Sequence, residues 1–151
     1  MTVIRSHDRK TKDAPSDRFT GQVWQDEVLV GTAPSRMRAT NVSFAPGAHT
    51  AWHAHPVGQT LYVMSGVGRL QIEGEPVREL RPGDTGLIPP NTRHWHGAAP
   101  GRIFTHLAMS ENADGGGTEW FELVSDDDYG ARPEEYFGLC DTAATAMIRR
   151  P

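Results

Sequence analysis

The stretch Trp52-His53-Ala54-His55-Pro56-Val57-Gly58-Gln59-Thr60-Leu61-Tyr62-Val63-Met64 puts two imidazoles and an amide on one side of an extended chain. His53 and His55 are two positions apart, so on a strand both rings point to the same face. Gln59 keeps that parity, and the apolar run from Thr60 to Met64 continues the strand. His94 arrives about 40 residues later, beyond a turn region rich in Pro and Gly. Two neighbouring strands can therefore aim His53, His55, Gln59 and His94 at one metal ion. Imidazole suits the divalent transition metals, and an amide oxygen is a weak, uncharged ligand. Coordination positions left open by such a set call for a small-molecule substrate. The plain alternative is a set of satisfied core histidines, and spacing, companion glycines and strand parity agree against it. For Gln59 the alternative is a hydrogen bond to a ligand histidine.

These residues fall in the register of two known motifs, and the segment Gly47 to His96 resembles the cupin family. Gly47, His53, His55, Gln59 and Gly66 match the first cupin motif, with Gln59 where the family has an acidic residue. Gly83, Pro89, Asn91 and His94 match the second, with Asn91 replacing the inner Gly and Ala98 the final Asn. Asn tolerates positive φ, so Asn91 still allows that turn. Trp52 to Leu61, His94-Trp95-His96-Gly97-Ala98-Ala99-Pro100 and Thr105-His106-Leu107-Ala108 look like the small bacterial cupins with hydroxynitrile lyase activity. That resemblance implies a divalent metal, manganese foremost, held by three His and a Gln. It also implies that Val42, Thr50, His96 and His106 line the substrate pocket and that the chain assembles as a homodimer or homotetramer. Iron, nickel and zinc are the other metals the ligand set admits.

Composition narrows the classes. A chain of 151 residues suits one domain, since chains of this size bury roughly 70% of their unfolded surface. A net charge of −4 offers no general attraction to nucleic acid or anionic membranes. No apolar stretch reaches the length of a membrane span, and the start of the chain lacks the apolar core of a signal peptide. Cys140 is the sole cysteine, which excludes an internal disulfide and leads to the expectation of a reducing cytoplasm.

Along the chain, residues 1–18 are expected to form a polar arm, mobile or ordered only by a partner subunit. Residues 19–124 carry short β-rich runs between turns. Val23-Trp24, Glu27 to Val30, Arg38 to Phe44, Gln59 to Met64, Arg69 to Glu73, Thr85 to Pro89, Ile103 to Met109 and Glu119 to Val124 read as strands. Many short strands at regular spacing predict an antiparallel all-β barrel or sandwich. With the resemblance, the expectation is a single-domain cupin, a double-stranded β-helix or jelly roll. Residues 125–151 are expected to form a C-terminal tail with short helix, Asp126-Asp127-Asp128 marking a helix start rather than a calcium loop.

The uncharged ligand set has a chemical consequence. A unit charge pair 4 Å apart is worth about 4 kcal/mol at an effective dielectric near 20. Losing the family's acidic ligand weakens metal retention and leaves a more electron-poor Lewis acid, which favours non-redox chemistry. His96 shares parity with His94, and His106 lies on the following strand; either serves as general base or as a structural hydrogen-bonding group. Thr40, Val42, Thr50, Leu61 and Phe104 are expected as pocket wall. Trp52 and Trp95 alternate away toward packing, and His7 and His49 are expected at the surface. The leading expectation is a metal-dependent lyase cleaving a cyanohydrin to an aldehyde and cyanide. A dioxygenase or isomerase acting on a small oxygenated compound is the second, and a non-catalytic ligand-binding barrel the third.

Overall fold

Turn residues break the chain into short strands that pair antiparallel, some with the next strand and others across long stretches of chain. The computed structural model describes residues 1–114 and 116–134. Cys140 and most of the C-terminal tail considered above lie outside the described residues. The strands are β1 (Lys12–Asp13), β2 (Phe19–Thr20), β3 (Val23–Val30), β4 (Met37–Phe44), β5 (His49–Thr50), β6 (His53–Ala54) and β7 (Gln59–Gly66). They continue as β8 (Gly68–Ile72), β9 (Arg78–Leu80), β10 (Thr85–Ile88), β11 (His94–Ala98), β12 (Phe104–Glu111) and β13 (Glu119–Trp120). Among the described residues one α-helix, α1 (Asp126–Gly130), follows.

One sheet has the order β1-β3-β4-β12-β7-β10; the other runs β13-β6-β11-β5-β2, with β8 joined to β11 and β9 to β8. The pairings between strands are all antiparallel. The expected all-β jelly-roll architecture is what the chain adopts. Several details depart from the sequence reading: β2, β5 and β9 were not expected, and the expected strand from Glu119 to Val124 pairs only over Glu119–Trp120. Val23-Trp24 and Glu27 to Val30 are one strand, interrupted by a register shift between Glu27 and Leu29 that hides its alternation. Within the expected arm, Lys12 and Asp13 pair with Gln25 and Trp24, adding an edge strand beside β3.

Strand alternation builds the core. In β7, Gln59, Leu61 and Val63 are buried while Tyr62 and Met64 face out. Leu61 and Val63 pack with Val42, Phe44, Leu70, Leu80, Ile88 and Phe104 and fill one end of the barrel. Strand β11 is buried on both faces. His94 and His96 face the interior; Trp95 faces the other way into a second cluster with Trp52, Val77 and Val124. That cluster confirms packing for both tryptophans, and Trp95 Nε1 donates to Gln71 Oε1 at 2.7 Å. The tail covers this side: Ser125 caps α1 by accepting from Asp128 N–H, and Tyr129 Oη donates to the Ala98 carbonyl at 2.9 Å.

Two backbone positions matter for the site. Asn91 takes φ +55°, the left-handed turn that an Asn can supply in place of Gly. Gly97 lies where β5 crosses close to β11: a Cβ there would be 2.4 Å from His49 Cα, inside contact distance.

Candidate metal centre

Antiparallel pairing delivers the histidines to one place. His53 in β6 is directly opposite His94 in β11, and His96 follows two residues on, on the same face. His55 sits in the turn after β6, its carbonyl accepting from Gly58 and Asn91 N–H. Gln59 opens β7, and His106 in β12 is opposite Val42 and Val63. Ring centroids are 4.2 Å apart for His53 and His94, 5.1 Å for His53 and His96, and 5.3 Å for His53 and His55. All four expected ligands are therefore neighbours. The tightest group differs: the nitrogens of His53, His94 and His96 lie within 4.8 Å of one another. His55 stands one step out, and His96, expected as a base, stands at ligand distance.

Local hydrogen bonds orient the rings. His53 Nδ1 faces the Ala51 carbonyl at 3.0 Å and His94 Nδ1 the Thr92 carbonyl at 2.8 Å. A carbonyl can only accept, so Nδ1 carries the hydrogen on both rings and Nε2 is a lone pair. His94 Nε2 then meets Gln59 Oε1 at 2.9 Å, one acceptor against another. A cation shared between them resolves that contact; an amide turned the other way would donate to His94 instead. The Nε2 atoms of His55 and His96 are buried without any partner. Orphaned buried nitrogens are costly in an interior; a metal ion would satisfy His55 Nε2, and His96 Nε2 is left for a molecule in the cavity that His96 lines. The residues fit a divalent transition metal.

Burial sets the charge state. It pushes every one of these imidazoles down: His55 and His94 to about 4, His106 to about 3, and His53 and His96 well below their usual value. Neighbouring imidazoles add to the effect at His53, His55 and His96, because a second positive charge in the group would be repelled. At neutral pH the rings are neutral and their lone pairs available. No carboxylate among the described residues joins the tight group.

Two of the three, His53 and His96, line a cavity of about 430 Å³, and His94 is buried behind it. Thr40, Val42 and Thr50 line it together with His53, His55, Gln59 and His96. His106 lies behind His96, fully buried, with its Nε2 3.2 Å from His96 Nδ1. Leu61 and Phe104 are corrections: they belong to the packed end of the barrel and do not reach the cavity. Parity places both inside, but it says nothing of depth along the barrel axis, and they lie too deep. Trp120 was missed, and it stacks on His53 at 4.9 Å with 26° between planes. Ala108 and Ser110 also line the cavity; their parity with His106 along β12 is a signal that could have found them. Thr118, just before β13, and Trp120, within it, also line the cavity; the expected strand from Glu119 to Val124 carried no mark of which face turns inward. His7 is exposed as expected, but His49 is buried, its ring stacked 4.4 Å from Tyr129, which α1 folds across it. A cleft of about 500 Å³ between β8, β9 and β10 has Glu75, Glu79 and Asp84 on its walls and no imidazole.

The Cupin domain family matches residues 40–105. A curated (R)-mandelonitrile lyase from Granulicella tundricola is 43% identical over 129 residues, covering 85% of this chain and 98% of that protein. This chain is a cupin. Among solved structures, a cupin-like protein from Thermotoga maritima is 41% identical, with TM-score 0.74 over 78% of this cupin and 89% of the other chain. A polyketide cyclase from Streptomyces resistomycificus has TM-score 0.67 at 20% identity, covering 85% of this cupin and 90% of that chain, a likeness of fold. No helix among the described residues of this cupin is long and apolar enough to cross a membrane.

Proposed function

We propose that this cupin is a metal-dependent hydroxynitrile lyase. The observation that carries the reading is the group of neutral imidazoles, His53, His94 and His96, of which His53 and His96 open onto a cavity. The 43% identity to a protein named as (R)-mandelonitrile lyase supports it. His53, His55, Gln59 and His94 would hold the ion. A bound divalent metal, manganese by the resemblance, supplies Lewis acidity toward a substrate oxygen.

This chain's own residues do the rest. Val42, Ala108 and Trp120 bound the cavity with apolar surface for the substituent on the reacting carbon. His96 Nε2, uncharged and unpartnered at the cavity floor, takes the hydroxyl proton of the cyanohydrin. The bond to the nitrile carbon breaks, its electron pair leaves with cyanide, and the oxygen's electrons form the aldehyde C=O. His96 returns the proton to cyanide, which departs as hydrogen cyanide. For Nε2 to accept, the ring hydrogen must sit on Nδ1, where it donates to His106 Nε2; His106 thus holds the tautomer and positions the ring. Burial disfavours the imidazolium, so the proton is not retained.

The test is release of benzaldehyde from mandelonitrile by the manganese-loaded protein. Turnover is expected with metal and lost on chelation. Loaded protein that releases no benzaldehyde overturns the reading.

A further inference from the structure

The cavity mouth carries a charge pattern that cyanohydrin cleavage does not use. Lys12, Arg18 and Arg38 line it, opposed by one carboxylate, Glu27. Arg38 is engaged, its Nη2 lying 3.6 Å from Glu27. Lys12 makes no ion pair among the described residues. The pairing of β1 with β3 delivers Lys12 beside Gln25, itself part of the wall. Arg18 is anchored by its backbone: Ala51 N–H donates to the Arg18 carbonyl at 2.7 Å, next to Thr50 in the wall. Its Nε is 3.9 Å from Asp17, and both side chains are largely in solvent, so that pair contributes little.

The position of Arg18 relative to the floor is informative. Its guanidinium lies over the Trp120 ring, 5.5 Å from the centroid, and the same ring stacks on His53. One indole therefore connects the cation to the imidazole group. The chain as a whole has net charge −4, so a cationic mouth is a local feature, and a cleft with low-dielectric walls concentrates its field. Neutral substrates such as mandelonitrile gain nothing from it.

We propose that the mouth is an anion subsite and that the preferred substrate bears a carboxylate about one aromatic ring away from its reacting carbon. Arg18 is the principal contact, because its planar fork matches a carboxylate bidentately, and Lys12 adds a second charge. Val42 and Trp120 hold the aryl or alkyl spacer between the two ends. The position of the reacting carbon rests on the lyase reading; the subsite itself does not.

Calorimetric titration of the full, manganese-loaded chain with 4-carboxybenzaldehyde and with benzaldehyde tests this without turnover. At low salt the carboxylated aldehyde is expected to bind about tenfold tighter, the scale of one charge-assisted pair. The preference is expected to fall toward unity in Arg18→Gln, to return in part in Arg18→Lys, and to shrink in high salt. Circular dichroism confirms that each variant is folded. Equal affinities, no binding of either aldehyde, or a preference that survives Arg18→Gln combined with Lys12→Gln overturns the subsite. If the preference holds but mandelonitrile is inert, the lyase reading falls and the subsite stands. If mandelonitrile is cleaved and the affinities are equal, the reverse holds.

Discussion

Gln59 is the residue at which this chain departs most from its family pattern, and its chemistry can be isolated by one substitution. Its Oε1 is 2.9 Å from His94 Nε2, so Gln59→Glu places an anion in the same position with almost the same shape. Coulomb attraction at that range is of order a few kcal/mol at an effective dielectric near 20, reduced by the cost of burying the carboxylate. Metal affinity, measured by competition with a chelator, is expected to rise by at least about tenfold. Mandelonitrile cleavage is expected to slow, because the added charge makes the ion a weaker Lewis acid. An unchanged affinity would mean that Gln59 is not a ligand and only hydrogen-bonds to His94. The sequence showed Gln59 on the right face. The contact with His94 needed coordinates, because the two residues lie on separate sheets that meet only by packing.

At the scale of elements, β11 is the hinge between fold and chemistry. It carries His94 and His96 on one face and Trp95 on the other, with both faces buried. Gly97 lets β5 pass close behind it, with no room for a side chain beside His49. Gly97→Ala must push the two strands apart, at a cost of about 1–3 kcal/mol for overpacking. The expected result is a lower Tm, with metal affinity reduced as well, since β11 also carries His94. A variant with wild-type Tm would show that β5 yields without consequence. The His-x-His spacing and the alternation in β7 were legible because a strand's period of two is written locally. The bulge in β3 and the two-residue strand β1 were not, since neither has enough residues to show a period; β13 falls inside the expected strand from Glu119 to Val124 but pairs only over Glu119–Trp120.

For the whole molecule, the buried imidazoles make stability depend on pH. Unfolded, each takes up a proton near 6.5; folded, His55 and His94 do so only near 4 and His106 near 3. Below 6.5 the unfolded chain therefore binds more protons than the folded one, and stability falls as pH falls. For the metal-free protein the full contribution is present above 6.5 and declines between 6.5 and about 4. Between pH 7 and pH 5 each such group removes about 2 kcal/mol. Urea unfolding of metal-free protein at those two pH values is expected to show a marked drop in midpoint; equal midpoints would contradict neutral burial. Metal affinity follows the folded values. From the sequence, with ordinary imidazoles, it would decline below pH 6.5; burial moves that decline down toward 4.

What the sequence alone determined is the face on which strand residues lie: His53, His55, Gln59 and His94 on one side, Trp52 and Trp95 on the other, within an antiparallel barrel. Periodicity and turn chemistry are properties of neighbouring residues, so they can be read from the chain. Only the tertiary structure decided depth and closure. It put Leu61 and Phe104 in the packed end, His106 behind His96, Trp120 on His53, and Lys12 and Arg18 at the mouth. Those placements come from pairings across long stretches of chain, and no local pattern records how far along the barrel axis a paired strand will sit.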